Sequence, residues 1–306
     1  MPSLETKLFG VKLRNPLILA SGILGTTKGS LIRCAKSGAG AVTVKSLTLE
    51  PRKGHKNPMF IQTEQGFLNA VGYSNMGVKE ALEEFSNLEE INVQVIASIV
   101  GKNAGEFSKL AAIISKLDFS AIELPLSCPH TPGLGLLAGH GTPEATYEIV
   151  KSVKKKTRKP VIAKLSPSIM NLGEIAKNAV KAGADAINMG NSLGPGMQIN
   201  LEARRPVLDF KCGGLSGPAI KPIAVRCVYD VYEATRGKIP IIGTGGVTYG
   251  IDAVEMLMAG ASAVGVGTAV YYRGIDVFKK IASEMNDWMK KNKVKSIKEI
   301  VGLSHS

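Results

Sequence analysis

Aromatic residues are scarce in this chain of 306 residues: Phe, Trp and Tyr together make 5%, with one Trp. A surface that stacks unpaired bases needs several rings. No DNA- or RNA-binding signature accompanies the few that are present, so nucleic acid is not an expected partner. Cysteine is sparse as well. Cys34, Cys128, Cys212 and Cys227 lie far apart and form no CxxC pair, which argues against a metal site or a disulfide framework. No apolar run reaches the roughly 18 residues of a membrane span. The opening MPSLETKLFG has no apolar leader segment. A reduced, cytoplasmic setting away from membranes is the expectation. Acidic residues are outnumbered, 25 against 38 Lys and Arg, for a net charge of +13. Much of the excess falls in Lys-rich stretches such as 151–159 and 279–295. These read first as a solvated surface, although a basic balance also suits anionic small ligands.

Glycine and aliphatic residues are plentiful: there are 34 Gly, and 44% of the chain is hydrophobic. Short apolar runs at 15–21, 41–46, 93–99, 121–127, 161–166, 186–192, 240–245 and 263–268 are bounded by Gly, Pro or Ser. Near-continuous apolar runs of this length fit strands buried on both faces of a parallel sheet. Amphipathic patterns separate them, at 28–37, 103–116, 142–157, 171–182, 218–235, 250–259 and 277–290. "KAGADAI" and "MAGASAV" repeat one device: helix end, Gly turn, next strand. The eight βα units predict an α/β fold, a closed (β/α)₈ TIM barrel forming a single domain over 1–306. An open doubly wound sheet is the alternative. Two connections, 47–76 and 193–217, are long for such loops, and long loops in a compact domain usually carry function.

Chemistry concentrates at the strand ends. Lys45 and Lys164 close the runs "AVTVKS" and "VIAKLS". A lysine entering a barrel core needs an anion or a polar partner. Either an anionic ligand or an ion pair, with Glu123 as the possible mate, would supply it. "GTGG" (Gly243, Thr244, Gly245, Gly246) and "GVGT" (Gly265, Val266, Gly267, Thr268) end the seventh and eighth strands. In barrels that corner binds phosphate through backbone N–H groups; ordinary turn-forming glycine is the plainer reading. Cys128 follows the fourth strand in "LSCPH", where His130 could lower its pKa, although a lone cysteine is often a small buried thiol. Asn69, Asn75 and Asn191 sit in Gly-rich loops, where Asn often serves turn geometry. The amide also matches the donor and acceptor edge of a pyrimidine.

These blocks together resemble the class 1 dihydroorotate dehydrogenases, most of all the class 1B catalytic subunit. The likeness covers almost the whole chain, through "NPLILASGILG", "VTVKSLTLEPRKG", "FLNAVGYSNMG", "LSCP", "PVIAKLSPS", "LEARRPVL", "GGLSGPAIKPIAVR", "IPIIGTGG" and "LMAGASAVGVGTA". It implies an FMN-dependent oxidoreductase that converts dihydroorotate to orotate in pyrimidine biosynthesis. It also implies either a homodimer or a heterotetramer with a partner subunit that carries an iron–sulfur cluster and FAD. By position, Ala20, Ser21, Lys45, Ser46, Lys164, Gly217, Gly245, Gly246, Gly267 and Thr268 would hold FMN. Lys45, Asn69, Ala70, Val71, Gly72, Tyr73, Asn191 and Ser192 would face the pyrimidine-type substrate. Cys128 would be the catalytic base that takes the C5 proton while hydride leaves C6. Three family asparagines are replaced, by Ser98, Pro125 and His130. "VIASI" and "SCPH" are instead similar to the FMN domain of dihydropyrimidine dehydrogenase, which makes uracil or dihydrouracil the alternative substrate.

Overall fold

The computed structural model describes residues 2–126 and 140–306. Eight parallel strands close into a barrel: Leu17–Leu19, Ala41–Thr43, Gln94–Ser98, Ala121–Pro125, Val161–Leu165, Ala186–Met189, Ile241–Thr244 and Ala263–Val266. They are numbered one to eight below. Each pairs with its neighbour in sequence, and strand eight returns to strand one. All eight fall inside the expected apolar runs.

The barrel interior is built in layers. Strands one, three, five and seven send in Ile18, Ile96, Ile162 and Ile242; strands two, four, six and eight send in Ala41, Ala121, Ala186 and Ala263. Alternating large and small side chains fill a closed barrel without voids. An N-terminal hairpin, Thr6–Leu8 with Val11–Leu13, packs Leu8 and Leu13 against this layer and caps that end of the barrel. Side chains two residues apart share a face of a strand. The next layer toward the carboxyl ends is therefore Ala20, Thr43, Ser98, Glu123, Lys164, Asn188, Thr244 and Gly265. It is mostly polar, and it faces the carboxyl ends of the strands. Gly265 is glycine because a Cβ there would overlap the Thr244 side chain.

Helices Lys28–Lys36, Ala104–Ile114, Pro143–Lys154, Leu172–Lys181, Lys221–Thr235, Gly250–Met258 and Val277–Lys291 occupy the expected places. Thr27, Asn103 and Thr142 cap three of them with side-chain oxygens, satisfying amides that the first turn leaves open. Two further helices, Gly77–Glu84 and Ala269–Arg273, have no counterpart in the sequence reading. The long connections are not irregular. Leu193–Gly196, Gly213–Ser216, Gly66–Asn69 and Phe60–Thr63 form one antiparallel sheet, in that order. Phe67 ties this sheet to the segment after strand eight through ring contacts with Tyr271 and Tyr272. Among the described residues, no helix is long and apolar enough to cross a membrane.

Candidate active site

A cleft of about 220 Å³ opens at the carboxyl ends of the strands, between the barrel and the antiparallel sheet. Ala20, Ser21, Lys45, Ser46, Lys164, Gly217, Gly245, Gly246, Gly267 and Thr268 all line it. So do Asn69, Val71, Gly72, Tyr73, Asn191 and Ser192. The glycines at the seventh and eighth strands differ in purpose. Gly246, at φ +75°, packs on the start of the Lys221–Thr235 helix, where a Cβ would stand 2.6 Å from Lys221 Cβ. Gly267 faces open space, its nearest neighbours being Ile23 and Ala20 at 3.6 and 3.8 Å from a built Cβ. The first lets helix and strand approach, and the second leaves backbone bare to a ligand.

The cleft floor is a continuous polar chain. Ser46 Oγ lies 2.9 Å from Ser98 Oγ, and Ser98 donates to Glu123 Oε1 at 3.4 Å. Lys164 Nζ stands 3.5 Å from the same oxygen, with side-chain exposures of 8% and 2% for the pair. Asn188 Nδ2 donates to Glu123 Oε2 at 2.6 Å, and Thr244 Oγ1 donates to Asn188 Oδ1 at 2.9 Å. The two readings of Lys164, ion pair and cleft cation, thus hold together. It is paired to Glu123 and it lines the cavity. Lys45 also lines the cleft, and a Cβ on Gly22 would stand 3.9 Å from its Nζ. Two cations over bare glycine backbone and aliphatic Ile23, Ile220 and Val247 make a site for a flat ring bearing anionic groups.

The family model for dihydroorotate dehydrogenase matches residues 3–289. The chain belongs to the dihydroorotate dehydrogenase family. It is 45% identical over 306 residues to the catalytic subunit of dihydroorotate dehydrogenase B (NAD(+)) of Methanocaldococcus jannaschii, covering 99% of this chain and 98% of that one. It is 47% identical over 301 residues to the corresponding subunit of Pyrococcus abyssi, covering 98% and 99%. The fold matches a crystal structure of the Eimeria tenella dihydroorotate dehydrogenase in complex with ferulenol. The TM-score is 0.84 at 22% identity, over all of this chain and 89% of that one. Membership makes the chain an oxidoreductase.

Pro125, which departs from the family pattern, now has a physical account. It is the last residue of strand four and lines the cleft. Ile122 and Leu126 donate toward strand five, to Pro160 and Lys164 carbonyls, while Glu123 accepts from Ile99 on the strand-three side. Alternation turns the Pro125 nitrogen toward strand three, beyond the last paired step of Ser98 with Glu123. The proline therefore forfeits one ladder bond at the ladder's end, where the loss is tolerated. Ser98, the second departure, is fully buried and its hydroxyl is engaged by Glu123 and Ser46.

Cys128 and His130 lie outside the described residues. Burial pushes the thiols of Cys34 and Cys227 up to about 11, so neither is a nucleophile near neutrality. Ala70 does not line the cleft; it is buried with Leu68 and Leu208. Alternation explains this, since Asn69 and Val71 on either side face the cavity. Asn75 serves its loop. Its amide donates to Thr48 Oγ1 and the Tyr73 carbonyl and accepts from Gly77 N–H. Phe60, Gly190, Ser216 and Thr244 also line the cleft. Thr244 was legible inside "GTGG"; Phe60 carried no local signal.

Proposed function

We propose that this chain, as one barrel domain over residues 1–306, oxidises dihydroorotate to orotate with FMN held in the cleft. The observation that carries this reading is the Lys45–Lys164 cleft, with its glycine-lined corner, in a chain of the dihydroorotate dehydrogenase family. The residues suit the cofactor. Gly245, Gly246, Gly267 and Thr268 offer backbone at the corner for a phosphate. Ala20, Ser21, Ser46 and Gly217 border the space for the ring system, with Lys164 at its floor. When bound, FMN would accept the hydride that leaves C6 of the substrate.

The chain's own residues do the rest. Lys45, Asn191, Ser192 and Asn69 present donors and acceptors to the substrate's carboxylate and ring amides. Val71, Gly72 and Tyr73 cover it. Tyr73 holds φ +57° in its loop, a backbone conformation that non-glycine residues adopt at a cost and that clusters at ligand clamps. Cys128 takes the C5 proton as thiolate. The two electrons leave with the C6 hydride, and the C5–C6 double bond of orotate forms. The catalytic subunits of the relatives imply a partner, here an iron–sulfur and FAD subunit in a cytoplasmic heterotetramer.

Purified protein should carry one FMN per chain and form orotate from dihydroorotate with an artificial acceptor. Cys128→Ser should keep the flavin and lose most of that turnover, because a serine hydroxyl is a far poorer base near neutral pH. Undiminished turnover in Cys128→Ser would remove Cys128 from the mechanism. Dihydrouracil is the second substrate to assay, because Pro125 places no amide at its point of the cleft wall.

A further inference from the structure

The cleft floor contains an acidic side chain that substrate and cofactor contacts do not require. Glu123 is 1% exposed and sits in the centre of the polar layer. Three donors converge on it from three strands: Ser98 hydroxyl and Lys164 ammonium on Oε1, and the Asn188 amide on Oε2. A carboxylate accepts through both oxygens and donates through neither. It therefore fixes which way Asn188 points: Nδ2 toward Glu123, and Oδ1 toward the Thr244 hydroxyl that donates to it. It also fixes the hydroxyl chain, since Ser98 donates to Glu123 and so accepts from Ser46. One group thus sets the donor direction from Ser46, after strand two, to Thr244 on strand seven.

Resting on the reading that FMN occupies this cleft, we propose that Glu123 is a positioning residue that holds Lys164 at the cleft floor and tempers its charge, and so sets the midpoint potential of the bound flavin. Lys164 alone would present a full cation in a poorly solvated place. Reduction adds negative charge to the cofactor, so an untempered cation nearby favours the reduced form. Glu123 opposes that preference without touching the ring.

The test is the FMN midpoint potential of the holoenzyme, by dye-equilibrated reductive titration, in the parent protein and Glu123→Gln. Glutamine keeps the shape, removes the charge, and sets an amide donor against one of the converging donors. The expected result is retained FMN and a positive shift. A tenfold change in the reduction equilibrium reads as about 30 mV for this two-electron couple. Lys164→Gln should move the potential in the opposite direction. An unchanged potential in Glu123→Gln with flavin bound overturns the inference and leaves the FMN reading standing. A parent protein that binds no FMN overturns both. Should Glu123→Gln fail to fold, Glu123→Asp keeps the charge but withdraws it by one methylene. It should shift the potential in the same direction by less; a parental potential with a lowered melting temperature would reduce Glu123 to a packing role.

Discussion

Replacing Lys164 with Met tests the buried pair directly. Methionine keeps most of the length and volume and removes the charge. Glu123 then stays buried, with Ser98 and Asn188 still donating to it but with no counter-ion. At the observed 3.5 Å the gross attraction is about 5 kcal/mol for an effective dielectric near 20. Desolvation offsets much of that in the intact pair. Removing one partner leaves an uncompensated charge and costs roughly 3–5 kcal/mol. Glu123→Gln should cost a comparable amount. The double variant Lys164→Met with Glu123→Gln leaves neither charge stranded and should recover about 2 kcal/mol or more of the summed loss, the signature of coupled neighbours. Thermal unfolding of the flavin-free proteins is the assay, since ligand binding would otherwise add its own stabilisation. At roughly 2 °C per kcal/mol for a chain of this size, Lys164→Met should melt about 6 °C or more below the parent. Single variants that each cost under about 1 kcal/mol and add in the double would refute a buried, coupled pair.

Gly265→Ala should destabilise by about 1–3 kcal/mol, because its Cβ overlaps Thr244 within a closed layer. Pairing it with Thr244→Ala should return part of the loss in urea unfolding; no recovery would place the strain elsewhere. Cys34 and Cys227, with thiols raised to about 11 by burial, should resist iodoacetamide at pH 8 in the folded protein and react once it is unfolded, as read by peptide mass mapping. The same shift makes stability fall as pH rises from the ordinary value of 9.0 through about 11, since the unfolded thiols ionise first. Burial raises Glu284, but its bonds to Arg273 and to the Gly250 N–H outweigh that and leave its carboxyl below the usual value. Its contribution is therefore present above pH 4.5 and is lost below it, as pH falls through the lowered folded-state value. Glu284→Gln should flatten the acid limb of a melting-temperature profile, and an unchanged limb would contradict the assignment.

The barrel was legible because its strands are buried on both faces and are bounded by turn residues, so 121–127 and 263–268 read as strands without tertiary knowledge. Ile18, Ile96, Ile162 and Ile242 repeat at equivalent depths, and their alanine counterparts complete the layer. The antiparallel sheet was not legible. Gly66–Asn69 pairs with Gly213–Ser216, more than 140 residues on, and both segments read locally as Gly-rich loop. The Gly77–Glu84 helix was hidden for a similar reason: its N-cap residue, Met76, makes no side-chain cap bond, so no capping residue announces it. Within the site, Lys164 showed itself as a cation ending an apolar run, and Glu123 as its possible mate. What no local pattern gave was the convergence of Ser98, Lys164 and Asn188 on that carboxylate, because each lies on a different strand. Ala70 was placed toward the substrate as part of a contiguous block, whereas alternation of side chains along the extended chain turns it into the core.

Anaerobic mixing of the purified, flavin-loaded protein with dihydroorotate, and in a parallel run with dihydrouracil, tests the central claim most directly. The account predicts rapid bleaching of the flavin absorbance by dihydroorotate, with one orotate formed per flavin reduced, and no comparable bleaching by dihydrouracil. Bleaching by dihydrouracil alone, or by neither compound with FMN still bound, would contradict it and assign the cleft bounded by Pro125, Lys45 and Lys164 to another ring.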